Sequence, residues 1–361
     1  MTATSFDLWA PFCVAFLIAL VATPITIEIA PRIGAMDVPE DGRRMHSRIV
    51  PRFGGAAIFL GMMVAMLIFA RDHENSMSAF LGCCIIFVMG VIDDIKTLRP
   101  IVKLIGQIVA ATAVYATGLR ISFITNFFTG DDTNIMFGDI ACFLCTVIWI
   151  VAITNAVNLI DGLDGLAAGI CIISSLCIGY VAYIHGRELA TIAMMIIAGS
   201  AMGFLPFNFH PAKTFMGDCG SQLLGFAIAS FSMIGAVKGA TIVVVVIPAL
   251  VLGLPIVDTT FAIVRRLINH QPIGMGDKEH LHHRIMKAGY GQRRSVMLMY
   301  CMSGILGVVA VLYSRGLYVE SAGLVAVAIM LLYVLLSETS NRNTNIRGVK
   351  IKRKDDTKNE K

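Results

Sequence analysis

Apolar residues in this chain fall into long blocks separated by short polar stretches. A helix needs about 20 mainly apolar residues to cross a bilayer. That length marks eleven segments: 8–30, 53–70, 78–92, 101–118, 138–157, 163–184, 188–207, 221–237, 239–264, 295–313 and 317–336. The pattern predicts an all-α integral membrane protein, a polytopic bundle of about eleven transmembrane helices. Residues 1–336 are expected to form one membrane domain. Residues 337–361 form a polar, basic tail without hydrophobic periodicity, expected to be solvated and disordered beside anionic headgroups. The first block is too long for a signal-peptide core and lacks a basic leader, so no cleavable signal is expected. No tandem repeat is visible.

Composition agrees with the pattern. The 361 residues are 57% hydrophobic and only 15% charged, with mean hydropathy +0.77, whereas soluble chains carry about 25% charged residues. A net charge of +5 would suit nucleic acid, but the basic residues sit between spans and in the tail, so no nucleic-acid partner is expected. Of the 29 Lys and Arg, 24 fall on alternate loops and the tail, leaving only Arg71, Arg120, Arg187, Lys238 and Arg315 opposite. The positive-inside rule then puts the N-terminus outside and the C-terminus in the cytoplasm. Most of the nine cysteines lie within spans (Cys83, Cys84, Cys142, Cys145, Cys171, Cys177). They read as small packing residues, the Cys142-x-x-Cys145 pair included, and imply no disulfide framework.

This topology sends five carboxylates and three imidazoles to one side of the membrane, where ionisable groups at helix ends mark a site. Asp93-Asp94 ends the third span; adjacent carboxylates repel, which favours a cation, a shared proton or a base, with helix capping as the structural alternative. In residues 154–169, Asn155, Asn158, Asp161 and Asp164 recur every three positions, which would stack them on one helical face, while Gly162 and Gly165 let backbone approach a ligand; an Asp-Gly turn between spans is the structural alternative. Residues 207–225 offer Phe215, to stack on a base or to fill the core, and Asp218 as a hard oxygen ligand suited to Mg²⁺. His280, His282 and His283 lie beside Lys278 and Arg284, a grouping better suited to gripping a diphosphate than to zinc, which lacks its usual ligand spacing here.

The segments RRMHSRIVPRFGG, VIDDIKTL, NAVNLIDGLDGLA, PAKTFMGDCGS and DKEHLHHRI, in that order, resemble the polyprenyl-phosphate N-acetylhexosamine-1-phosphate transferase family. The resemblance runs from Arg43 to Arg284. The DKEHLHHR form is similar to the branch using UDP-N-acetylglucosamine; the branch transferring phospho-N-acetylmuramoyl-pentapeptide carries three adjacent histidines. Thr97 departs from the family's D-D-x-x-D pattern, which removes a third carboxylate there.

The resemblance implies transfer of a sugar-1-phosphate from UDP-N-acetylglucosamine to undecaprenyl phosphate, releasing UMP and starting a lipid-linked cell-surface polysaccharide. The setting implied is the cytoplasmic face of a bacterial inner membrane. It implies Mg²⁺, with Mn²⁺ as a substitute, held by Asn158 and Asp218, and is compatible with a homodimer. Asp164 and Phe215 would contact uracil, and His280, His282, His283 and Arg284 the phosphates. Asp93 would activate the lipid phosphate for its direct attack, a covalent enzyme intermediate being the alternative, supported by Asp94, with Asp161 a further catalytic carboxylate. His46, Lys103, Asn155 and Asn208 complete the substrate-binding set. Two other readings compete. A secondary transporter would place its charges at mid-depth rather than at span ends. A membrane prenyltransferase would leave the histidine cluster and Phe215 unused.

Overall fold

The computed structural model describes residues 5–38, 49–73, 76–121, 123–125, 134–234, 247–268, 285–286, 289–334 and 337. Its helices are α1 (Ser5–Ile33), α2 (Gly55–Phe69), α3 (Ser76–Lys96), α4 (Pro100–Ala116), α5 (Asp139–Ile160), α6 (Leu166–Ile184), α7 (Glu188–Asn208), α8 (Gly217–Met233), α9 (Ile247–Val251), α10 (Gly253–Ile268), α11 (Gln292–Ser314) and α12 (Tyr318–Val334). Six of these (α1, α3, α5, α6, α7 and α11) are long and apolar enough to cross a membrane. The chain is thus a mostly helical, multi-pass membrane protein.

The bundle is built around α7 and α8. Every residue of α8 except Asp218 is buried, and Phe204, Phe226 and Phe231 are fully enclosed. α1 and α6 pack on α7; α3 and α5 pack on α8; α4 bridges α3 and α5. Close approach is set by small residues, as in other membrane bundles: Gly199 and Gly203 of α7 lie directly against the backbone of Phe12 and Phe16 in α1. α2 and α8, with 15 and 17 residues, are only about 22–26 Å long at 1.5 Å per residue. Both begin at the candidate site, where their N-terminal ends meet: Gly54 N donates to Phe215 O at 3.0 Å and Gly55 N to Met216 O at 2.9 Å.

Four features depart from the sequence expectation. Two short antiparallel hairpins interrupt the all-α pattern, β1 (Met36–Asp37) with β2 (Val50–Pro51) and β3 (Phe123–Thr125) with β4 (Asn134–Met136). The expected span 239–264 is broken at Leu252 into α9 and α10. Pro255 has no N–H for the Val251 carbonyl, and that carbonyl instead accepts from Ser303 Oγ of α11 at 3.5 Å. α3 runs on to Lys96, so Asp93 and Asp94 lie inside its last turn rather than after it. Finally, α5 stops at Ile160, so Asn155 and Asn158 are helical while Asp161 and Asp164 lie in the following turn. The single polar face expected for all four is therefore not formed; Gly165, at φ +80°, begins the next helix in a left-handed conformation that glycine adopts freely. The split expected near Gly235–Gly239 and the tail after Ser337 lie outside the described residues.

Candidate active site

The last turn of α3 delivers two adjacent carboxylates to the first turn of α8. A helix N-terminus carries unsatisfied N–H groups and partial positive charge, and α8 has no side-chain cap of its own. Asp94 supplies one from another helix. Its Oδ1 accepts from Asp218 N at 2.8 Å, its Oδ2 from Cys219 N at 3.0 Å, and Arg52 Nη2 pairs with Oδ1 at 2.9 Å. The Asp94 side chain is fully buried. The capping alternative thus holds for Asp94, on a helix remote in sequence. Gly217 is required at the junction: its φ is +70°, and a Cβ there would strike the Asp94 carboxylate and the Arg52 carbonyl. Gly90 permits the same approach from α3, because a Cβ would collide with the backbone of Cys219.

Asp93 turns from the α8 backbone toward α4 while staying within hydrogen-bond reach of the Asp218 carboxylate. Its Oδ1 accepts from Leu98 N at 2.5 Å and its Oδ2 pairs with Lys103 Nζ at 2.5 Å. The turn between α3 and α4 that allows this is tight, with Thr97 at φ +39°, an unusual conformation for a β-branched residue. Lys103 also reaches Asp218 Oδ2 at 2.6 Å, and Arg52 Nη2 lies 3.5 Å from Asp218 Oδ1. Three carboxylates therefore share two cations. Arg52 lies outside the spans; burial alone would weaken its charge, but Asp94 and then Asp218 more than offset that and raise its pKa.

The other wall is the turn between α5 and α6 with the loop after α7. Asn158 Nδ2 donates at 2.7 Å to the Oγ of Ser221, which lies one helical turn from Asp218 on α8. Asp161 is half-buried and makes no side-chain hydrogen bond or ion pair among the described residues. Burial, and next the charge of Asp218, push its carboxyl up to about 7. Asp164 Oδ2 accepts from Ala212 N at 3.1 Å and lies 2.7 Å from His210 Nδ1. Asn208 is buried and ties the two segments together: Gly165 N donates to its Oδ1 at 3.1 Å, and its Nδ2 donates to Thr214 O at 2.9 Å. Thr214 Oγ1 donates to Pro51 O at 3.0 Å, and half-buried Phe215 is fixed by its N–H to the same carbonyl at 2.8 Å. Beside this wall a cavity of about 580 Å³ is lined by His210, Pro211, Gly291, Gln292, Arg293 and Arg294.

Of the residues singled out from sequence, Asp93, Asp94, Lys103 and Asp218 thus meet directly, and Asn158 joins them through Ser221. Asp161 reaches them by its charge. Asp164, Asn208 and Phe215 share the opposite wall. Asn155 faces α4, its Nδ2 donating to Gln107 Oε1 at 2.6 Å. His46, His280, His282, His283 and Arg284 lie outside the described residues. Sequence reasoning passed over Arg52, hidden among basic residues counted for orientation, and also Gln107, Gln222 and His210. The two glutamines carried a usable signal: each is a polar amide inside an apolar helix.

The donor set suits a hard divalent cation. Mg²⁺ is usually held by one or two carboxylates plus substrate phosphates rather than by an all-protein cage. Asp218 supplies such oxygens, with Asn158 tied to Ser221 one turn along α8 and Asp161 close enough to feel its charge, and no cluster of three His, Cys, Asp or Glu occurs among the described residues. Three acids against two cations also leave net negative charge for a cation to balance.

Comparison with known proteins adds the chemistry of relatives. Residues 76–236 match the model of glycosyl transferase family 4. The chain is 39% identical over 93% of both chains to a probable undecaprenyl-phosphate N-acetylglucosaminyl 1-phosphate transferase of Bacillus subtilis. It is 32% identical, over 84% of this chain and 91% of the relative, to an undecaprenyl-phosphate alpha-N-acetylglucosaminyl 1-phosphate transferase of Thermotoga maritima. It is also 32% identical, over 82% of this chain and 95% of the relative, to a phospho-N-acetylmuramoyl-pentapeptide-transferase of Moorella thermoacetica.

Proposed function

Because the chain belongs to glycosyl transferase family 4 and is a glycosyl-1-phosphate transferase, we propose that it transfers N-acetylglucosamine-1-phosphate from UDP-N-acetylglucosamine to undecaprenyl phosphate. An oxygen of the lipid phosphate attacks the sugar-linked phosphorus of the donor. The bond from that phosphorus to the bridging oxygen breaks, and UMP departs with the electron pair. The product is a lipid diphosphate sugar on which a cell-surface polysaccharide, such as O-antigen or a wall polymer, would be built. The observation that carries this reading is the junction of Asp93, Asp94, Lys103, Arg52 and Asp218 at the shared ends of α3, α4 and α8. The B. subtilis and T. maritima relatives support the N-acetylglucosamine donor, as does the DKEHLHHR segment. The site would lie at the cytoplasmic face of a bacterial inner membrane. The 24 of 29 basic residues on one side support that orientation and an eleven-span count with the N-terminus outside.

Phosphoryl transfer between two anions is mostly a matter of alignment and charge neutralisation. Asp218 and the Asn158 carbonyl would hold Mg²⁺, or Mn²⁺ in its place, which when bound supplies charge stabilisation to the diphosphate and the departing UMP. Lys103 is the cation nearest Asp93. A lipid phosphate drawn to it brings its remaining proton beside that carboxylate, which accepts it. Asp94 is a positioning residue, since each of its oxygens already accepts a backbone N–H and Arg52 adds an ion pair. Asp164 and Phe215 would receive the uracil, and Asn208 would keep their two segments in register. His280, His282, His283 and Arg284 remain assigned to the phosphates, and His46 to substrate.

One observation favours a second assignment of the proton. Asp161 has no partner among the described residues, and a pKa of about 7 suits a base working near neutrality. The reaction itself is tested with purified protein, labelled UDP-N-acetylglucosamine and undecaprenyl phosphate. UMP release that stops on removal of divalent metal is expected; undiminished turnover without metal would remove the metal from the account.

A further inference from the structure

Lys103 and Gln107 lie one turn apart on α4, and Asp218 and Gln222 one turn apart on α8, so the two helices meet in two rungs. The first rung is the Lys103–Asp218 ion pair at 2.6 Å. The second is Gln107 Nε2 donating to Gln222 Oε1 at 2.9 Å. Gln222 Nε2 also donates to Asp218 Oδ2 at 3.1 Å, and Asn155 Nδ2 of α5 donates to Gln107 Oε1 at 2.6 Å. Both glutamines are buried, with 1% and 0% exposure.

The chain has only one sense. An ionised Asp218 can only accept, so Gln222 must turn its NH₂ toward it. Its carbonyl then faces Gln107, which must offer its own NH₂, and the Gln107 carbonyl is left for Asn155. Each buried amide is satisfied only if all the others are turned correctly, and a buried amide without a partner is costly. The direction of the two glutamines is therefore set by one carboxylate, and they in turn fix that carboxylate, while Asn155 Nδ2 is held as well by the Val151 carbonyl at 2.8 Å. Asp218 Oδ2 is held between Lys103 and Gln222, while the ion pair at Oδ1 among the described residues is the longer one to Arg52 at 3.5 Å.

We propose that Gln222, backed by Gln107 and Asn155, is a positioning residue that turns Asp218 so that Oδ1 faces the incoming cation and diphosphate. This rests on the assignment of Asp218 as a metal-holding residue. Asn155, grouped from sequence with the substrate-binding residues, becomes the far end of this chain.

The test uses the full-length protein in lipid nanodiscs. Mn²⁺ binding is followed by electron paramagnetic resonance with UDP present, alongside steady-state kinetics. Gln222→Met keeps the length of the side chain and removes its donor and acceptor. It is expected to weaken Mn²⁺ binding about tenfold, the scale seen when partners of metal ligands are removed. kcat should fall by a similar factor, with KM for the lipid unchanged. Gln107→Met, one residue further from Asp218, should give a smaller loss of the same kind, and it carries the test if Gln222→Met does not fold. The double variant should be no worse than Gln222→Met alone. A lowered melting temperature with wild-type Mn²⁺ affinity and kcat would mean that the amides only pack, and would overturn the proposal. If wild type itself bound no Mn²⁺, the metal reading would fall and this inference with it. If wild type bound it and both variants did so equally, only the amide chain would fall.

Discussion

The two walls of the cleft handle charge in opposite ways. On the wall formed by α3, α4 and α8, each carboxylate has partners: Asp94 holds Arg52 and two backbone N–H groups, and Asp93 and Asp218 share Lys103. On the wall formed by the α5–α6 turn, Asp161 has none among the described residues, and burial raises its carboxyl to about 7. A paired carboxylate fixes geometry, because moving it separates charges in a poorly solvated place. An unpaired one is free to exchange a proton or meet a ligand. The contrast assigns alignment to the first wall and adjustable charge to Asp161 on the second, where Asp164 is itself held by Ala212 N and His210.

The largest effect should come from breaking the aligned wall. Asp94→Asn removes the charge that balances Arg52 and puts an NH₂ where one of two backbone donors needs an acceptor. Removing one partner of a buried pair costs about 3–5 kcal/mol, and thermal unfolding should show a loss at the lower end of that range, since Arg52 is partly exposed. Turnover should fall by at least about 100-fold, because α8 carries Asp218 and misplacement of about 1 Å is that costly. A variant with wild-type unfolding would show that the trans cap contributes nothing.

Asp161→Asn should act in the reverse direction on stability. The folded carboxyl holds its proton to a pH of about 7, whereas an unfolded one loses it near 4. Wild-type stability from this group is therefore lost as pH rises from about 4 through 7. The variant should unfold a few degrees higher than wild type at pH 8 and at the same temperature at pH 4, while its turnover is reduced. If Asp161 is the base, the variant also loses the rise in kcat/KM that wild type shows through pH 7. Equal unfolding of both proteins at pH 8 would mean that Asp161 has an ordinary pKa. The smallest effect is expected at Asn208→Ala, which frees Gly165 N and Thr214 O at about 1–2 kcal/mol; unchanged unfolding would contradict its role as a tie.

How much of this was legible in sequence follows from the range of each signal. Apolar blocks are local, so the described helices follow them, six being long and apolar enough to cross a membrane. The break at Leu252 was not legible, because Pro255 sits in an unbroken apolar run and its effect depends on Ser303 from α11. Spacing brought Asn155, Asn158, Asp161 and Asp164 together as candidates but could not show that α5 ends at Ile160, that three of them take different partners and that Asp161 takes none among the described residues. Arg52 looked like one more orientation charge, since nothing near it in sequence reveals Asp94. Motif residues are visible one at a time, whereas the pairing of Asp94 with the first turn of α8 spans 124 positions.

The most direct test of the whole account is calorimetric titration of UDP with Mg²⁺ into wild type, Asp218→Asn and Asp93→Asn. An amide at 218 loses the charge that offsets the cation, whereas Asp93 is assigned to the lipid phosphate. Asp218→Asn should therefore bind UDP–Mg²⁺ far more weakly, and Asp93→Asn should bind it as wild type does while failing to turn over. If Asp93→Asn loses UDP–Mg²⁺ binding as severely as Asp218→Asn, Asp93 belongs to the metal or nucleotide, and the division of labour argued here is contradicted.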